Sequence, residues 1–94
     1  MASFTVRVEL HSAVAKDYEN LHSKMEAAGF SRQITADSGV VYHLPTAEYD
    51  YSHSSMTTAD VRDKAAAVAQ TVKQNPAVLV TKSDGRSWQG LDKV

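Results

Sequence analysis

An α+β domain running strand–helix–strand–strand–helix–strand is the fold the sequence predicts, and three observations predict it. Residues 3–11 alternate between apolar and polar side chains. Two later segments carry apolar residues at helical spacing. A turn signal of Asp and Gly sits between them, and a short apolar run follows the second.

The first strand is the clearest element. Phe4, Val6, Val8 and Leu10 fall on one side, and Thr5, Arg7, Glu9 and His11 on the other. Period two with β-branched residues describes a strand buried on one face only. The period then changes. Val14, Tyr18, Leu21, Met25 and Ala28 form a stripe along one helix face. Ser12 is the expected cap at its start, and Gly29 followed by Phe30 is a stop of the Schellman type.

Residues 31–36 and 40–44 read as two strands joined at Asp37-Ser38-Gly39, with Pro45 ending the second. Ile34, Tyr42 and Leu44 are the inward candidates, which leaves Gln33, Val41 and His43 outward. Residues 45–57 read as a long irregular loop. Thr57 and Asp60 have capping-box spacing, and Val61, Ala65, Val68 and Val72 supply the second helix stripe up to Asn75-Pro76. Ala77–Thr81 reads as a central, well-covered strand, and Arg86–Leu91 as a short fifth strand bearing Trp88.

This order is the split βαβ pattern of a ferredoxin-like sandwich, with both helices on one face of an antiparallel sheet. The first strand is central, and the face bearing Arg7, Glu9 and His11 is left open. All 94 residues belong to one domain.

Composition limits the function classes. The net charge of −1 gives no general pull on nucleic acid, so any such contact needs a local basic cluster. With no cysteine there are no disulfides, no thiolate chemistry and no Cys-based zinc site. Neither a signal-peptide core nor a membrane-length apolar run is present, so the expected location is the cytoplasm.

On the open face, Arg7 with His11, joined by His43 from the neighbouring strand, is the candidate catalytic set. Imidazole moves protons near neutral pH and guanidinium stabilises charge on phosphate oxygens, a pairing suited to phosphodiester chemistry. Lys82 and Arg86 flank a turn and are candidates for positioning a phosphate backbone, and Tyr49 for stacking on a base. Tyr42 and Tyr51 offer further rings. The four histidines, His11, His22, His43 and His53, match no zinc-ligand spacing, so neither a metal nor any other cofactor is expected.

The segments Phe4–His11, Tyr42–Tyr49, and Val78–Thr81 with Gly85-Arg86-Ser87-Trp88 together resemble the GhoS-type small proteins. That family includes the endoribonuclease antitoxin of type V toxin–antitoxin systems, and its ferredoxin-like fold resembles the Cas2-type CRISPR-associated nucleases. The resemblance covers nearly the whole chain. It implies metal-independent cleavage of a toxin mRNA, with RNA as the partner. The rival expectation is a non-catalytic interaction module, a homodimer in which the open sheets or the Trp88 strands pair. A third is a small-molecule binder using a cleft beside residues 45–57.

Overall fold

The computed structural model describes residues 2–94 and has an α+β architecture of two helices and antiparallel sheets. In chain order the elements are β1 (Ala2–Glu9), α1 (Ala15–Ala27), β2 (Gln33–Thr35), β3 (Val41–His43), β4 (Glu48–His53), α2 (Thr58–Gln70) and β5 (Ala77–Lys82). Beyond the six elements of the split βαβ pattern, the additional strand lies between β3 and α2 and not over residues 86–91.

The extra strand is β4, and it corrects the reading of residues 45–57 as a loop. It pairs antiparallel with β1, Phe4 opposite Tyr51 and Val6 opposite Tyr49. The three-stranded sheet has the order β4-β1-β5, so β1 is central as expected. β5 is an edge strand and not the covered central one that its apolar run suggested.

β2 and β3 form a separate two-stranded hairpin. Its turn is closed by Ala36 N–H to the Val40 carbonyl at 2.8 Å, and Gly39 supplies the φ of +89° that such a loop needs. The hairpin joins the larger sheet through one bridge, Ser31 to Asp50.

Both helices cover the same sheet face. Phe4, Val6 and Val8 from β1, Tyr49 and Tyr51 from β4, Leu21 and Met25 from α1, and Val61, Ala65 and Ala69 from α2 make one buried cluster with Phe30. Full burial of a side chain of this size contributes about 1.5–3 kcal/mol. Phe30 stacks on Tyr51 with ring centroids 4.5 Å apart.

Helix ends follow local chemistry. α1 stops as predicted: Phe30 N–H bonds the Met25 carbonyl at 2.9 Å, Gly29 N–H bonds the Glu26 carbonyl at 3.0 Å, and Gly29 has φ +95°. α2 carries the predicted capping box, Asp60 N–H to Thr57 Oγ1 at 3.1 Å and Thr57 N–H to Asp60 Oδ2 at 3.0 Å. The start of α1 differs. Val14 and not Ser12 is its N-cap, and Ser12 sits in the turn with φ +54°.

The tail is not a strand over residues 86–91. It crosses the outer sheet face and pairs with β3 further on, through His43 N–H to the Asp92 carbonyl and Val94 N–H to the Val41 carbonyl. No helix is long and apolar enough to cross a membrane among the described residues.

Candidate functional site

The residues singled out in the sequence do not converge on one place. Arg7 is exposed on the outer face of β1, opposite Glu48 on one side and Leu79 on the other. His11 is exposed in the turn that follows β1. His43 lies on β3, which pairs with β2 and the tail and not with β1, so the expected neighbour relation with Arg7 is absent. Consequently His43 and Arg7 line different clefts.

Lys82 and Arg86 also part company. Lys82 is exposed at the end of β5 opposite Phe4, which places it on the helix side of the sheet. Arg86 lies on the outer face, donating from Nε to Thr5 Oγ1 at 3.1 Å. Its Nη1 stands 2.8 Å from Asp50 Oδ1, a contact that is more Coulombic than directional, since that oxygen completes no well-angled hydrogen bond.

Tyr49 is fully buried and cannot stack on a base. Its hydroxyl meets His22 Nδ1 at 2.7 Å. Burial pushes the Tyr49 hydroxyl well above the ordinary tyrosine range, and burial followed by the nearby Arg32 charge lowers His22. Both shifts favour the neutral forms, so the pair shares an uncharged hydrogen bond whose direction follows the imidazole tautomer. Tyr51 is buried against Phe30, and Tyr42 meets Trp88 edge-on at 5.6 Å.

Two of the clefts bring charged side chains together beside the β2–β3 hairpin. The first, about 280 Å³, is lined by Glu26, Ser31, Arg32, Gln33 and His43. Here an imidazole, a guanidinium and a carboxylate share one cavity. Arg32 is half-buried and makes no side-chain hydrogen bond or ion pair among the described residues. Glu26 and Arg32 were not singled out from sequence, although Glu26 stands one turn beyond His22 on α1 and Arg32 follows the Gly29 stop by three residues.

The second cleft, about 290 Å³, lies between the outer sheet face and the tail, and its lining includes Thr5, Leu44, Glu48, Asp50, Arg86 and Trp88. The two clefts flank the β2–β3 hairpin, since Gln33 and His43 line one while Ile34 and Leu44 line the other. Among the described residues, no three His, Asp or Glu side chains converge as metal ligands would. The His53 ring nitrogen Nδ1 accepts from Ser55 N–H at 3.1 Å, a turn-forming role. Neither a protein-family model, nor a curated protein, nor a solved structure matches this chain.

Proposed function

We propose that this chain is an RNA-acting protein of the GhoS type, a metal-independent endoribonuclease whose reacting centre is the cleft of His43, Arg32 and Glu26. The observation that carries the reading is that these three side chains line one cavity. Metal-free cleavage of RNA needs a base to take the 2′-hydroxyl proton as its oxygen bonds to phosphorus. It also needs an acid to protonate the departing 5′-oxygen as the old P–O bond breaks. Glu26 suits the first role and His43 the second. Arg32, uncommitted within the chain, suits the charge on the non-bridging oxygens. The central β1 flanked by antiparallel β4 and β5, with both helices on one face, supports a ferredoxin-like sandwich in which the second strand is drawn out into the β2–β3 hairpin.

Purified protein incubated with single-stranded RNA tests this reading. His43→Ala and Arg32→Ala are each expected to slow cleavage about 100-fold or more, and Arg7→Ala only slightly. Cleavage at the wild-type rate by the first two variants sinks the assignment.

A second reading, the homodimeric interaction module, is favoured by β5. The bond from Ser83 N–H to the Ser3 carbonyl sets the ladder, so Val78, Val80 and Lys82 turn their backbone groups away from β1. Leu79, 64% exposed, stands on the outer face of the same strand. An open edge of this kind pairs readily with a second copy. Sedimentation of the wild type and of Val80→Pro, which removes one outward N–H, tells a dimer from a monomer.

A further inference from the structure

The cleft beneath the tail is distinct from the His43 cavity, and its lining is specific. Leu44, Leu91 and the Trp88 ring form apolar walls, while Thr5, Glu48 and Asp50 lie along the outer sheet face. A concave, largely apolar slot with a few fixed polar groups is the usual form of a small-ligand site. At about 290 Å³ it sits near the lower limit of such sites, with room for one or two fused rings.

Charge narrows the occupant further. Two carboxylates, Glu48 and Asp50, face a single cation, Arg86, so the interior repels a phosphate. Any anionic part of a ligand must stay outside. The hydrogen-bonding groups are also unequally committed. Arg86 is held by Thr5 through Nε and by Asp50 through Nη1, which leaves Nη2 buried with no partner among the described residues. A buried donor without a partner is uncommon and calls for an acceptor. Glu48, half-buried on the same wall, forms no hydrogen bond or ion pair through its carboxylate among the described residues. It is an acceptor with two free oxygens.

We propose that this cleft is a base pocket for guanine, stacked on Trp88 with its polar edge toward Glu48 and Arg86. Guanine alone among the four bases presents a carbonyl oxygen beside two adjacent N–H donors. The N1 and N2 donors answer the two oxygens of Glu48, and the carbonyl lies toward the Arg86 charge. Adenine places a ring acceptor where the carboxylate needs a donor. Cytosine does the same, and uracil offers a single donor between two carbonyls. Aromatic stacking supplies affinity without choosing among the bases. The pocket deepens the RNA reading, on which it rests for the source of the base.

Trp88 is the sole tryptophan, so its fluorescence reports on this cleft directly. Titration with 5′-GMP is expected to give saturable quenching, with AMP, CMP and UMP at least about tenfold weaker. Glu48→Gln keeps the side chain's size but replaces one acceptor oxygen by a donor, and the preference for GMP should vanish while stacking persists. Amide chemical shifts of Thr5 and Gln89 give a second readout that does not depend on Trp88. Absence of saturable binding by GMP, equal binding of AMP, or a retained preference in Glu48→Gln each overturns the proposal. His43→Ala should bind GMP like the wild type. GMP binding without RNA cleavage removes the nuclease reading and leaves the pocket standing; cleavage without GMP binding does the reverse.

Discussion

Tyr49 and His22 share a hydrogen bond of 2.7 Å between β4 and α1, joining the sheet to the helix that covers it. Removing the hydroxyl leaves the His22 nitrogen without this partner. Tyr49→Phe is therefore expected to lower stability by about 1 kcal/mol, measured as a shift in urea midpoint at pH 7.5.

The same pair makes stability depend on pH in a known direction. His22 binds a proton less readily in the folded chain than in the unfolded one. Its contribution is thus complete above the unfolded value near 6.5 and is lost as pH falls through the lower folded value. Urea midpoints measured from pH 7.5 to pH 5 should fall, and His22→Gln should flatten that part of the slope. Tyr49 shifts the opposite way, so its phenol should stay un-ionised in alkali until the protein unfolds. Absorbance of phenolate during alkaline titration, with and without denaturant, counts it.

Val14 occupies an N-cap with extended backbone and lacks a side-chain acceptor, while Asp17 already bonds the Val14 N–H at 3.0 Å. Half of a capping box is in place. Val14→Ser should complete it and raise stability by about 0.5–1 kcal/mol. At the other helix, Thr57→Ala should remove a complete box and cost about 1 kcal/mol. Thermal melts of both variants check the opposite signs.

Gly29 stands at φ +95°, where a Cβ would meet Tyr51 Cε1 at an ordinary 3.5 Å. Space is not the constraint there; backbone conformation is. Gly29→Ala should cost about 1–2 kcal/mol without altering the core, as read by unchanged near-ultraviolet circular dichroism at a lower melting temperature.

On the proposed nuclease reading, RNA cleavage at the His43 cavity would use side chains alone. Adding a chelator such as EDTA should leave the rate within about twofold of the untreated enzyme, whereas loss of the imidazole is worth far more.

Much of the frame was legible in the sequence because it rests on strong periodicity. β1 alternates without a break, and each helix has its stripe and stop. β4 is hidden in the sequence, because Glu48, Asp50 and Ser52 make its polar half resemble a loop. Its signal was still present: Tyr49 and Tyr51, two apart, are both residues that favour strands. Missing it displaced the neighbour of β1 by one strand and carried His43 to the wrong side. The edge position of β5 was hidden for a different reason, since a short apolar run reads alike in a covered strand and in an edge one. Arg32 and Glu26 come together with His43 only through the hairpin's path, which no local spacing records. Arg86 is expected beside Lys82 at a turn, but the structure places it in other company. Its partners are Thr5 and Asp50, from distant parts of the chain.

That separation has a kinetic meaning. Thr5 and Arg86 are 81 residues apart, and both ladders of β1 are made with strands from the second half of the chain. Helices and the β2–β3 turn can form early, but the central strand must wait for distant loops to close. A topology dominated by such closures belongs to the slower small-domain folders, in roughly the millisecond-to-second range. Stopped-flow refolding followed by Trp88 emission would see the tail settle onto the sheet. The cleft it covers cannot exist before that moment.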